Sequence, residues 1–192
     1  MAVLATDETR AFLDSMRERY LHQHVAEPEY DAVVYRARFL PDPEVLHLIV
    51  QMCGRRRSIT SSEPPVPESL DARKEIAAIL TPMRWPDTTP VARLGALLPG
   101  WDTLHVTTLM HAVIPDYPIW GPEESDALDA LGLLCPYQDD PNHAEEPYRI
   151  LNDAVKHLRE AARYHQVPES HHYLTRVVQA ALLDLALEEA GS

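Results

Sequence analysis

The sequence contains few cysteines and few lysines, and each scarcity excludes a class of chemistry. Its 192 residues include only two cysteines, Cys53 and Cys135, without Cys-x-x-Cys spacing. A zinc or iron–sulfur site built on thiolates is therefore not expected, and a chain of this length does not need a disulfide framework. Because Lys74 and Lys156 are the only lysines, covalent catalysis through a side-chain amine has two candidates.

Long apolar runs and local cofactor motifs are also missing. No apolar stretch approaches the ~20 residues that cross a bilayer, and no basic region followed by an apolar one opens the sequence. The sequence contains no His-Glu-x-x-His, no EF-hand loop and no glycine-rich phosphate loop. We therefore predict a cytoplasmic protein with buried thiols, no membrane contact, no metal and no cofactor.

Positive charge is scarce, with 17 Lys and Arg against 30 Asp and Glu and a net charge of −13. The average field of such a protein repels phosphate, so nucleic-acid binding requires a local basic patch. Arg55, Arg56 and Arg57 form the only dense basic run, after Gly54 and before a Ser/Thr/Pro-rich loop. These arginines are interpreted either as a solvated loop that pairs with carboxylates or as a phosphate contact.

What the sequence does contain is helical periodicity, and 192 residues at 45% hydrophobic composition predict a single domain over residues 1–192. Two segments are apolar on nearly all sides. One begins at Asp42-Pro43 and is expected to end at Gly54, and the other begins after Asp102, a good N-cap. We expect these two helices to lie side by side at the centre of the fold.

The other helices follow from start and stop signals. Residues 69–80 show an amphipathic pattern that turns Leu70, Ile76, Ala77 and Leu80 inward. Two long helices near the C-terminus are joined by a short link, which predicts an antiparallel hairpin within residues 144–190. Segment 30–40 fits either a helix or a strand, and its helical neighbours favour a helix. Further helices are predicted over 89–97, 122–131, 147–165 and 170–190, and a first helix is predicted to start at Thr6 or Asp7. Because no strand pair is convincing, the predicted fold class is all-α.

The turn Leu98-Pro99-Gly100 between two predicted helices has the form of a helix-hairpin-helix element. Here the sequence resembles the helix-hairpin-helix DNA glycosylase superfamily, the endonuclease III-like enzymes, whose hairpin reads L-P-G-x-G. The following apolar helix, the Pro115/Pro118 linker and Leu131-Gly132 also match, over about 35 residues. The resemblance implies a compact multi-helix domain of that fold, with the Gly100 turn at a nucleic-acid phosphate.

Three departures from the family pattern concern its chemistry. Asp102 stands at the second hairpin glycine, and Leu104 stands where bifunctional members carry the lysine that forms a Schiff base. Gly121 stands where related sequences carry an aspartate. The resemblance therefore implies that the catalytic pair is missing. Glu123 and Glu124 are the candidates for relocated catalytic acids; the alternative is that they complement the dipole of the following helix.

A second pattern is shared with poorly characterised relatives of this fold: a histidine, a proline, Tyr/Phe-Pro-Ile and an aromatic residue. His111 is either a pocket acid or base, or a hydrogen-bonded core residue. Tyr117, Trp120 and the nearby Trp101 either stack on a base or a planar ligand, or pack in the core.

These observations give one leading hypothesis and two alternatives. The leading one is a divergent, noncatalytic glycosylase-like protein with weak binding to DNA or a nucleobase, linked to DNA repair. The first alternative is an acidic helical adaptor that binds a basic protein and has no nucleic-acid role. The second is an active base-excision glycosylase that uses Glu123 or Glu124.

Overall fold

The computed structural model describes residues 41–57 and 64–164, together with the single positions 11, 12, 14, 178, 181, 182, 185 and 186. The predicted all-α class is confirmed, because the described residues form six α-helices and one 3-10 helix and contain no strand. The α-helices are α1 (Pro43–Arg57), α2 (Leu70–Leu80), α3 (Pro90–Leu97), α4 (Thr103–Val113), α5 (Pro122–Ala130) and α6 (Glu145–Tyr164), and the 3-10 helix is Pro141–His143.

Helix α4 lies at the centre of the fold, as predicted. Every residue from Thr103 to Ala112 is buried. Thr107 and Thr108 fit this environment because they bond to their own helix: the Thr107 hydroxyl donates to the Thr103 carbonyl at 2.8 Å, and the Thr108 hydroxyl donates to the Leu104 carbonyl at 2.7 Å. A helix without a solvent face can only be an interior element.

Helix α1 packs against α4, with the Cys53 thiol 3.4 Å from the Thr108 hydroxyl. It is one-sided rather than buried all round, because His47 and Gln51 are exposed. Its inner face is formed by Val45, Leu46, Ile49, Val50 and Cys53.

The predicted end of α1 at Gly54 is wrong, because the helix continues to Arg57. A helical glycine costs only about 1 kcal/mol relative to alanine, which is too little to stop a helix that is packed against a neighbour. Arg55, Arg56 and Arg57 therefore belong to a helix end rather than to a loop.

Helix α2 is capped by Ser69, whose hydroxyl accepts a hydrogen bond from the Ala72 amide at 3.2 Å. The inward prediction for Leu70 is wrong, because its side chain is 49% exposed. Leu70 is the first residue of the helix and precedes the turn that packs on the core. Burial on α2 falls on Ile76, Ile79 and Leu80.

Helix α5 ends as predicted, with Gly132 in the left-handed region at φ 72°. The Gly132 amide donates to the Asp129 carbonyl and the Leu133 amide to the Leu128 carbonyl, both at 2.8 Å. These two bonds are a Schellman motif, which satisfies carbonyls at the end of the helix.

The first helix of the predicted C-terminal hairpin is α6, which begins at Glu145 rather than Pro147. Val178, Ala181 and Leu182 are helical and buried; the rest of the second hairpin helix, and segment 30–40, lie outside the described residues. Within the described part of the chain, no helix combines the length and apolar character that crossing a membrane requires.

Candidate functional site at the two ends of the central helix

The chain enters α4 through a tight turn at Leu98–Trp101. The Trp101 amide donates to the Leu98 carbonyl at 3.0 Å, and Gly100 has φ 83°. Proline at the second position and a left-handed glycine at the third define a type II β-turn. Pro99 and Gly100 are exposed at its tip, whereas Leu98 and Trp101 are buried beneath it. The predicted tight turn is therefore present between α3 and α4.

Two amides at the start of α4 already have acceptors within the protein. The Thr103 amide donates to the Asp139 carbonyl at 2.9 Å, and the His105 amide donates to Asp102 Oδ1 at 3.0 Å. The Gly100 amide has no acceptor among the described residues. An anion at this turn would meet an exposed glycine amide next to the Asp102 carboxylate.

His105 is a residue at this end of the helix that sequence reasoning missed. Its Nδ1 lies 2.7 Å from Asp102 Oδ1, and its ring lies 5.6 Å from that of Trp101. Trp101 is buried and its indole Nε1 donates to the Pro65 carbonyl at 3.0 Å. The available signal was an aspartate followed three residues later by a histidine, which is a common spacing for neighbours on a helix.

The triple arginine and the turn are connected by a short segment. Arg57 ends α1, and Pro64 follows seven residues later. A β-carbon placed on Gly100 would lie 3.4 Å from Pro65 and 3.8 Å from Pro64. Seven residues span at most about 25 Å, so the end of α1 lies within that distance of the turn.

The chain leaves α4 through a buried linker. It turns at Ile114–Tyr117, where the Tyr117 amide donates to the Ile114 carbonyl, and then extends to Gly121. His111 Nδ1 contacts the Tyr117 carbonyl at 2.6 Å, and the Tyr117 hydroxyl donates to the Asp87 carbonyl at 2.8 Å. Burial, followed by the nearby Asp87 charge, raises the pKa of Tyr117. This linker is held by hydrogen bonds at several points.

Trp120 is the centre of that linker and is fully buried. Its amide donates to the Thr107 hydroxyl at 3.0 Å, and its indole Nε1 donates to the Ser125 hydroxyl at 2.7 Å. The ring stacks on Tyr148 and meets Tyr137 edge-on. Desolvation raises the pKa of Tyr148, whose hydroxyl donates to the Pro118 carbonyl at 2.6 Å.

The structure thus brings His111, Tyr117 and Trp120 together at one end of α4 and places Trp101 beside the turn at the other. All four side chains are buried. Each has a ring nitrogen or hydroxyl bonded within the protein. These contacts favour their interpretation as core residues. Their roles in ligand binding stay predictions.

Glu123 and Glu124 fold back over Gly121. The Gly121 amide donates to Glu124 Oε2 at 2.9 Å, and Glu124 is only 1% exposed. A β-carbon on Gly121 would lie 2.9 Å from Glu123 Oε2 and 3.0 Å from Glu124 Oε2. Glu123 Oε2 is enclosed and has no hydrogen-bond partner among the residues that the structure describes. The two carboxylates therefore occupy the space that a side chain at position 121 would take.

Leu104 meets the same place from the central helix. Its Cδ1 would lie 3.5 Å from a β-carbon on Gly121, and Leu104 is fully buried. The resemblance implies the family's lysine at the position of Leu104 and its aspartate near Trp120-Gly121-Pro122. The fold brings Leu104 and Gly121 into contact, with an alkyl group at one position and no side chain at the other.

The described residues contain no convergent group of three His, Cys, Asp or Glu side chains that could hold a metal ion. Both cysteines are buried, and burial raises the pKa of the Cys135 thiol to about 12, so little reactive thiolate is present at neutral pH.

Comparisons with family models, with curated proteins and with solved structures find no match to this chain.

Proposed function

We propose that this protein is a divergent, noncatalytic protein of the helix-hairpin-helix glycosylase type. We also propose that it contacts DNA weakly, in a role linked to repair. The observation that carries the proposal is the contact of Leu104 with the Gly121 position. The resemblance implies a nucleophilic amine at the position of Leu104 and a carboxylate near Gly121. Two positions 17 residues apart that meet at one point support that geometry, and their present side chains support the loss of its chemistry.

Leu104 and Gly121 supply neither of the groups that the family's chemistry requires. An alkyl side chain cannot form a Schiff base, and a glycine cannot stabilise a developing positive charge. One of the two carboxylates at this place, that of Glu124, accepts a hydrogen bond from the amide that precedes α5 and is enclosed by protein. A carboxylate that accepts the backbone amide before a helix caps that helix, and this supports a structural role for Glu124.

The turn at Gly100 and the arginines of α1 are the proposed DNA contacts. Gly100 is exposed, and a β-carbon on it would lie 3.8 Å from Pro64, the seventh residue after the end of α1. Asp102 opposes this binding, because like charges about 4 Å apart repel by about 1 kcal/mol even in water. The contact is therefore weak and depends on Arg55, Arg56 and Arg57. Since the candidate aromatic rings are buried, the proposal favours the phosphate backbone over a stacked base.

The test is fluorescence anisotropy with a short labelled duplex at low and physiological salt. Three phosphate contacts predict that affinity falls about 40-fold between about 50 and about 200 mM salt. Replacing Arg55, Arg56 and Arg57 with alanine should abolish binding. The matched control replaces Lys74, Arg84 and Arg149, three exposed residues elsewhere in the chain, and removes the same charge. No binding at low salt, or equal losses in both triple variants, would contradict the proposal.

A second candidate function is favoured by the position of the two glutamates. Glu123 Oε2 and Glu124 Oε2 surround the Gly121 position where the resembled pattern has its aspartate. An active enzyme that uses them would release a base from a panel of damaged duplexes, and Glu123→Gln or Glu124→Gln would abolish release. The controls Asp126→Asn and Asp129→Asn alter exposed carboxylates on the same helix and should leave release unchanged.

A further inference from the structure

Leu134 is the most exposed of the large hydrophobic side chains in the described chain, at 77%. Its neighbours hold it in that position. The Leu133 amide is bonded to the Leu128 carbonyl at the end of α5, and Cys135 is buried with its Sγ 4.0 Å from the Pro147 carbonyl. The backbone is fixed on both sides of Leu134, so its exposure is a property of the folded connector.

A second exposed apolar side chain lies close to this connector. Ile150 is 40% exposed and lies one helical turn after Pro147, the residue that Cys135 contacts. Pro136, on the other side of Cys135, is also exposed. Apolar groups are thus present on both sides of the contact between the connector and α6. We define Leu134, Pro136 and Ile150 as the Leu134 surface.

The charges around the Leu134 surface are mainly negative. Asp129 at the end of α5 and Glu145 and Glu146 at the start of α6 are exposed. The cation on this part of α6, Arg149, donates to Glu146 at 2.9 Å and to Asp153 at 3.4 Å. Its hydrogen bond lowers the pKa of Glu146. The unbalanced charge is therefore carboxylate, which complements a cationic partner and repels a second copy of the same surface.

We propose that the Leu134 surface docks a cationic segment of a partner protein that presents an apolar face. The apolar face covers Leu134 and Ile150, and Lys or Arg side chains at its edge meet Asp129, Glu145 and Glu146. This contact is independent of the proposed DNA contact at Gly100. It uses a different part of the chain and the opposite charge.

The probe is a synthetic helical peptide of leucine, lysine and alanine with its leucines on one face, titrated by calorimetry into the full chain. Leu134→Ser should weaken binding about tenfold, since it removes most of a leucine's apolar burial. The control is Leu70→Ser, at a leucine that is also exposed but lies on α2; it should change affinity less than about twofold. Both substitutions are on the surface, and circular dichroism verifies that both variants fold.

The charge arm uses Asp129→Asn, Glu145→Gln and Glu146→Gln together, against Glu68→Gln, Asp71→Asn and Glu75→Gln as the control on exposed positions around α2. Only the first set of substitutions should weaken binding of the peptide. Equal binding of a peptide with serine in place of leucine would overturn the proposal, because charge alone would then account for the affinity. Self-association that Leu134→Ser abolishes would overturn it as well, since the occupant would then be a second copy.

Discussion

The two ends of α4 differ in their exposure to solvent. At its start, the turn has an exposed proline and glycine and an aspartate that accepts the His105 amide. At its end, the linker is buried, and its hydrogen bonds hold Tyr117 and Trp120 within the core. An exposed turn can change its binding properties by changing a charge, whereas a buried linker cannot change without loss of packing. This difference predicts where substitutions affect stability and where they affect binding.

The largest expected effect is at the linker. Trp120→Ala should lower the free energy of unfolding by about 3–5 kcal/mol, because it removes a fully buried aromatic ring and the hydrogen bond from its indole to Ser125. The matched change at the turn, Pro99→Ala, should cost below about 1 kcal/mol. Urea denaturation measures both values. Similar losses would show that the two ends do not differ in this way.

Alkaline pH tests the same linker through Tyr117 and Tyr148. Their raised pKa values mean that the folded protein keeps both protons above the ordinary value of 10.0, where the unfolded chain releases them. Stability should therefore be intact below pH 10.0 and fall above it, by about 1.4 kcal/mol per pH unit for each tyrosine. Urea denaturation at increasing pH measures the slope. Tyr148→Phe should reduce it, and an unchanged slope would contradict this assignment.

Gly121→Ala tests how tightly the linker is packed at its junction with α5. The new methyl group would lie 2.9 Å from Glu123 Oε2 and 3.0 Å from Glu124 Oε2, so both carboxylates must move. We expect a loss of about 1–3 kcal/mol in unfolding free energy. Gly132→Ala is the control, because no atom lies within 4 Å of the added methyl group and only the left-handed backbone is strained. Thermal denaturation of the two variants compares them.

The smallest effect on stability is expected at the turn. Asp102→Asn keeps a good N-cap and should change unfolding free energy by less than about 0.5 kcal/mol. It removes the carboxylate that opposes phosphate, so DNA affinity in the anisotropy assay should rise about fivefold. Asp71→Asn, at an exposed carboxylate on α2, is the control. Unchanged affinity would place the DNA contact elsewhere.

The sequence predicted the local features of this fold well. The cap at Asp102, the left-handed Gly132 and the proline starts of α1, α3 and α5 depend on neighbouring residues only, and the structure has all of them. The errors concern tertiary packing. Gly54 does not stop α1 where it lies against α4, and Leu70 is exposed although its spacing fits the buried face of α2.

The candidate site was predictable to a lesser extent. The resemblance identified Leu104 and Gly121 as the altered positions, but periodicity alone could not bring them together. The bond from the Thr103 amide to the Asp139 carbonyl joins residues far apart in sequence, and no local signal marks it. The same holds for the enclosure of Glu123 Oε2, which depends on how α5 sits against its neighbours.

Gly95 lies on α3 three residues before the turn, and its carbonyl accepts the Leu98 amide at 3.3 Å. A β-carbon there would lie 2.7 Å from Pro141 Cγ, so the bare backbone of α3 is what allows the 3-10 helix to seat closely. This close packing positions the residues before the 3-10 helix, including Asp139, whose carbonyl accepts the Thr103 amide. A methyl group at position 95 would lift this carbonyl away and leave the start of the central helix with an unsatisfied donor. A missing side chain on one helix thereby determines whether the amide of the buried Thr103 on its neighbour keeps its acceptor.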